Sequence, residues 1–251
     1  MLRFEVLTLF PEIFSSFLDE SLIKRAIEKG LLSVSLVNFR KHGLGKHLQV
    51  DDSPYGGGPG MILRIEPVAR TVEEQKKFHH SQGRETHTIL VSPQGQPFTQ
   101  KKAKELSQNN SVLTLVCGRY EGFDERIRSL VDEEISGGDF ICMGGEVITM
   151  AIIESVSRLL PGFLGNQESS EQESFSQSLL EYPQYTRPAS YAGMDVPEEL
   201  LSGNHKKIAQ WRQQHALSRT KKRRPDLILS LIHISEPTRP LYISYAVFCL
   251  K

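Results

Sequence analysis

One stretch limits the possible folds more than any other. Residues 111–117, SVLTLVC, run straight into Gly118-Arg119-Tyr120-Glu121-Gly122, and a second glycine-rich turn, ISGGDFICMGGE at 135–146, soon follows. An aliphatic and β-branched run closed by glycine reads as a buried strand ending in a loop. Glycine serves where backbone must turn with positive φ, or must approach a small molecule without a Cβ in the way. Each turn alone reads as an ordinary tight turn or as a loop around a ligand. Two in succession point to a ligand held largely by main-chain groups.

The first forty residues set the fold class. Leu2 to Phe10 reads as a strand stopped by Pro11, a residue that also suits the first turn of a helix. From Glu12 to Gly30, apolar Ile13, Phe14, Phe17, Leu18, Leu22, Ala26 and Ile27 recur at helical spacing, and Gly30 supplies a stop. A strand over Leu32 to Asn38 completes a β-α-β unit. Such crossovers join parallel strands that are buried on both faces, so the fold class is α/β with a mainly parallel sheet. Further on, the spacing predicts a helix over Glu66 to Phe78 and a strand over Thr86 to Val91 ending in a tight turn, Ser92-Pro93-Gln94-Gly95. Helices are predicted over Phe98 to Gln108 and over Glu146 to Leu160, the latter stopped by Pro161-Gly162. Two strands therefore end in exposed turns at one edge of a parallel sheet, where ligands bind.

Between these elements lies VDDSPYGGGPGM at 50–61, with four glycines, Gly56, Gly57, Gly58 and Gly60. A phosphate-binding P-loop would end in Gly-Lys-Ser/Thr, and here Met61 follows Gly60. The segment reads as a flexible surface loop or as one that approaches a flat or phosphorylated partner. Residues 163–181 are rich in Ser, Gln and Glu and read as a mobile linker, setting off residues 1–162 from a second unit at 182–228. That unit opens with YPQYTRP and continues in helices expected over Val196 to Leu201 and Asn204 to Leu217. Ile208, Trp211 and His215 share one stripe of the second helix. The basic run RTKKRR at 219–224 is either a solvated helix end or a phosphate-neutralising patch. Residues 229–251 have few charges and neither clean period. They read as an edge strand, a partner-binding tail or, as we expect, a frameshift, fusion or adapter-derived end, and no function is assigned to them.

Composition narrows the function classes. Thirty Lys and Arg against thirty Asp and Glu leave no global field that would draw the chain to nucleic acid, so any such attraction is local. With 39% hydrophobic and 24% charged residues the chain has the make-up of a soluble globular protein. The three cysteines, Cys117, Cys142 and Cys249, form no CxxC pair and no even disulfide framework, which fits a reducing compartment and argues against a structural zinc site. Cys117 and Cys142 read as small core residues. The first residues lack the form of a signal peptide, and no run is long and apolar enough to span a membrane. The chain is read as cytoplasmic, with no membrane partner.

The motifs LFPEIF, VDDSPYGGGPGM, LVSPQG, LVCGRYEGFDERI, GGE at 144–146, SVSRLLPG, ESF, YPQYTRP, LLSGNH and RRPDL stand in this order. Over residues 1 to about 228 the chain thereby resembles the bacterial tRNA (guanine-N1)-methyltransferases. The resemblance implies a trefoil-knotted methyltransferase domain with a small α-helical C-terminal domain, working as a homodimer with its sites at the subunit interface. It implies methyl transfer from S-adenosylmethionine to N1 of the guanine at position 37 of tRNA, with magnesium as an accessory ion although no metal cage is legible. The family's proposed base is the Asp of a DSF motif, matched here by Glu173 in ESF, one methylene longer. Arg158 matches an arginine that faces the guanine. The methyl donor is placed against Ser92, Pro93, Gly118, Glu121, Gly122, Gly137, Gly138, Asp139, Phe140, Ile141, Cys142, Gly144 and Gly145. The tRNA is placed against Asp51, Asp52, Gly58 and Gly60, and against His205, Lys206, Trp211, Arg219 and Arg223. Two rivals remain: a homologue that binds tRNA and S-adenosylmethionine without turnover, and a knotted methyltransferase acting on ribosomal RNA.

Overall fold

The computed structural model describes residues 1–109, 111–165, 173–175 and 178–228. The chain divides into two compact units, Met1–Gln167 and Glu168–Lys251, with the boundary inside the expected linker. Phe163, at the start of that linker, is instead buried in the core of the first unit.

The first unit is built on five strands, β1 (Leu2–Thr8), β2 (Leu32–Asn38), β5 (Thr86–Pro97), β6 (Val112–Cys117) and β7 (Glu133–Ser136), in the order β2-β1-β6-β5-β7. Every neighbouring pair is parallel. Alternation along the strands sends Phe4, Val6, Leu113, Leu115, Ile89 and Ile135 to one face. There they meet α2 (Ser21–Glu28), α4 (Gln100–Ser107) and α5 (Glu146–Ser157) through Ile23, Ala26, Leu106, Ile152 and Val156. Leu7, Leu90 and Val116 face the other way, onto Val68 and Val72 of α3 (Ile65–Ser81). Burial on both faces is what a parallel sheet needs.

Several expectations are corrected. The helix foreseen over Glu12 to Gly30 is a 3-10 turn (Pro11–Phe14) and two short helices, α1 (Ser15–Asp19) and α2. Glu20 is extended and Ser21 takes φ +58°, so the chain changes direction there. That break buries both Phe14 and Ile23 while leaving Ile13 and Leu22 exposed, which one continuous amphipathic helix could not do. β5 does not end at Val91. Val91 and Gln96 both pair with Ile135, so SPQG is a bulge inside a longer strand rather than a terminal turn. Two further strands, β3 (Asp51–Asp52) and β4 (Ile62–Leu63), close the glycine loop as an antiparallel pair.

In the second unit α6 (Glu198–Leu201) precedes α7 (His205–Arg223), and a short hairpin joins β8 (Ser190–Tyr191) to β9 (Met194–Asp195). α7 runs six residues past the predicted Leu217, so residues 219–223 of the basic run lie on the helix and Arg224 caps it. Lys221, Lys222 and Arg223 occupy its last turn, where cations complement the helix dipole.

Candidate active site

The two glycine loops anticipated from sequence meet at the carboxyl ends of the strands. The Gly145 N–H donates to the Gly118 carbonyl at 2.9 Å, and Arg119 and Gly144 form an antiparallel bridge. A Cβ on Gly145 would stand 3.0 Å from Gly118 N and 3.1 Å from Cys117 Cα, so glycine is what permits this contact. Glu146, the first residue of α5, anchors the junction at 1% exposure. Its Oε1 accepts from Thr8 Oγ1 at 2.8 Å and from Arg119 Nε at 3.0 Å. Oε2 lies equally near Arg119 Nε but accepts no aligned hydrogen bond. The Arg119 guanidinium also rests 4.5 Å from the centre of the Phe10 ring. Cys117 is buried beside Thr149, and burial pushes its thiol pKa well up, which makes it a core group and not a nucleophile.

The bulge at 92–95 forms the third wall, and segment 61–63 runs beside the first loop: Glu121 N donates to Met61 O at 3.0 Å and Leu63 N to Gly122 O at 2.9 Å. Together these loops enclose a cavity of about 200 Å³. Its lining contains Ser92, Pro93, Gly118, Glu121, Gly122, Gly137, Gly138, Phe140, Ile141, Cys142, Gly144 and Gly145. Asp139 alone among the residues assigned to the methyl donor is outside the lining; it is exposed. Cys142, expected in the core, is exposed and belongs to the cavity. Sequence reasoning missed Val91, Arg119, Tyr120, Phe123, Ser136, Met143 and Ile148, which also line it. Arg119 and Tyr120 stand inside the GRYEG loop and were legible there. Ile148 was not, because it reaches the cavity only through packing under Gly137, where a Cβ would fall 2.5 Å from Ile148 Cδ1. Among the described residues, Glu121 is the one carboxylate of the lining and Arg119 the one guanidinium.

Residues 2–230 match the family described as tRNA (Guanine-1)-methyltransferase TrmD. The chain belongs to this family. It is 51% identical over 239 residues to the tRNA (guanine-N(1)-)-methyltransferase of Moorella thermoacetica, covering 95% of this chain and 94% of that protein. It is 48% identical over 245 residues to the protein of the same name from Staphylococcus epidermidis strain RP62A, covering 97% of each. The protein of that name from Geobacillus kaustophilus is 52% identical over 229 residues, covering 90% of this chain and 91% of that one.

The residues that resemblance to this family assigns to RNA fall in two places. In the first unit, Asp51 and Asp52 lie in β3, with Asp52 held 2.8 Å from Arg64 Nη1. Gly58 and Gly60 take φ +134° and +80° in an exposed loop. Gly60 presses on the cavity: a Cβ there would sit 2.4 Å from Glu121 Cγ. In the second unit His205 and Lys206 open α7 and are exposed, as is Arg223 at its end. Arg219 donates to the Glu181 carbonyl at 3.3 Å. Trp211 is 7% exposed, stacked on His215 at 3.9 Å and edge-on to Tyr185, so most of its ring packs within the second unit.

Of the two residues assigned to catalysis, Arg158 caps the carboxyl end of α5, just past the helix that was expected to contain it. Glu173 lines a cavity within the second unit, beside Leu179, Tyr182, His205 and Arg212. The two belong to different units. Among the described residues, no helix is long and apolar enough to cross a membrane.

Proposed function

We propose that this chain transfers a methyl group from S-adenosylmethionine to N1 of the guanine at position 37 of tRNA, in the cytoplasm and as a homodimer. The observation that carries the reading is the glycine-lined cavity at the carboxyl ends of β6 and β7 and against the bulge of β5, in a chain that matches this family over residues 2–230. Main-chain groups freed of Cβ atoms suit a nucleoside-like donor, and the apolar walls, Pro93, Phe140, Ile141 and Ile148, suit its uncharged parts. The donor supplies an activated sulfonium, so the protein's task is to hold donor and acceptor in line.

Guanine N1 loses a proton as the bond to the methyl forms. Glu173 is the proposed base, and Arg158 is proposed to stabilise the charge that develops on O6. The exposed apolar side chains Phe140, Ile141, Met143 and Val147, at 54%, 80%, 89% and 61% exposure, support a second copy covering this rim. The knotted path is part of the same proposal. Among the described residues no three His, Cys, Asp or Glu side chains gather as a metal cage, and no step is drawn through magnesium.

Single-turnover transfer to a tRNA carrying guanine at position 37 tests the reading. Glu173→Gln is expected to lose about 100-fold or more in rate, as removal of a general base does, while Glu173→Asp retains most of it. An unimpaired Gln variant refutes the assignment of the base. A wild-type chain with no transfer refutes the function.

A further inference from the structure

Pro93 and Ser92 wall the cavity, yet they belong to a bulge that leaves the sheet, and a bulge has no ladder hydrogen bonds of its own to hold it. An ionic relay from outside the cavity supplies the anchor. Ser92 Oγ donates to Glu134 Oε1 and accepts the Gln94 N–H at 3.1 Å. Glu134 is gripped from the other side by Arg128, with Nε 3.0 Å from Oε2 and Nη2 3.1 Å from Oε1, the two-pronged geometry in which a guanidinium matches a carboxylate. The same Nη2 donates to Gln94 Oε1 at 2.6 Å. Arg128 thus holds the residues on both sides of Pro93, one directly and one through Glu134. Gly95 completes the seat, since a Cβ there would fall 2.5 Å from the Glu134 carbonyl carbon. Arg128 does not line the cavity.

We infer that Arg128, acting through Glu134, is a positioning residue for the methyl donor: it fixes the Ser92-Pro93 wall in the shape that receives S-adenosylmethionine. This rests on the proposed function. Arg128 is predicted to set donor affinity and not the chemical step, because nothing in the relay reaches the reacting atoms. A lysine keeps the charge but lacks the fork, so Arg128→Lys should recover affinity only in part.

The test is calorimetric titration of the full chain with S-adenosylmethionine, alongside single-turnover transfer at saturating donor. Arg128→Ala is expected to weaken binding roughly ten-fold, equivalent to about 1.4 kcal/mol, with the saturated rate within about two-fold of wild type. Ser92→Ala should weaken binding as well, and the Arg128→Ala/Ser92→Ala pair should bind no worse than the weaker single variant, since both changes release one wall. Lys102→Ala is the control for a merely structural effect. It breaks the 2.9 Å ion pair to Glu133, the neighbouring strand residue, and should leave donor affinity unchanged. If Arg128→Ala binds like wild type, or if Lys102→Ala weakens binding equally, the positioning role is overturned while the function stands. If wild type itself binds no S-adenosylmethionine, the function fails and the inference with it.

Discussion

The Arg119–Glu146 pair should be the most costly surface-adjacent contact to break. Arg119→Met removes the guanidinium, including its contact with the Phe10 ring, but keeps an unbranched stem. Glu146 is then left as a carboxylate at 1% exposure with Thr8 as its remaining side-chain donor. Removing one member of a buried ion pair costs about 3–5 kcal/mol. Two features reduce that here: Arg119 is itself 18% exposed, so part of its charge is already screened, and Glu146 keeps the favourable field of the α5 amino terminus. A cost of about 3 kcal/mol follows, which for a unit of this size lowers the melting temperature by roughly 6–12 °C. Arg119→Met/Glu146→Gln leaves no buried charge and should recover at least half of the loss. Far-UV circular dichroism with hydrogen exchange at Val112–Cys117 is the appropriate assay. Fluorescence is not, because the only tryptophan is Trp211, in the other unit. A loss below about 1 kcal/mol, or a double variant no more stable than the single, would refute the claim that an uncompensated carboxylate is what costs.

Three further outcomes are expected. His87 Nε2 donates to Glu133 Oε1 at 2.9 Å, and that hydrogen bond holds its pKa above the usual 6.5. A raised folded pKa contributes stability that is full below 6.5 and lost as pH climbs through the raised value, so melting curves above that pH should fall for wild type and flatten in His87→Gln. Gly60→Ala adds a Cβ 2.4 Å from Glu121 Cγ at a position with φ +80°; Glu121 must swing away, and titration should report weaker binding of S-adenosylmethionine at a stability cost of only about 1 kcal/mol. Trp211→Ala empties the core of the second unit at a cost of about 3–5 kcal/mol, and gel-shift and calorimetric titrations should find tRNA affinity lost with donor affinity retained.

Much of the donor cavity was legible in the chain. The continuous apolar run of β6, glycine where backbones touch, and glycine loops after strands follow from local chemistry, and they bring Gly118, Gly137, Gly144 and Gly145 to one place. β7 was missed. Glu133-Glu134-Ile135-Ser136 carries two acids and no apolar run; it pairs with β5 through its backbone, and His87, Lys102 and Arg128 match those acids. Trp211 was placed against tRNA by resemblance alone, and only packing reveals that Tyr185 and His215 flank its ring.

The sequence by itself determined the α/β class, the order of the first strands and helices, the glycine loops and the family, because each depends on patterns within a few residues or on motifs read in order. Tertiary structure decided what those loops lean on. Glu146 meets Thr8 across 138 positions, Glu134 meets Ser92 across 42, and Gly60 meets Glu121 across the β4 segment. Such contacts join residues that share no local period, and their partners exist only once the sheet has brought distant strands side by side.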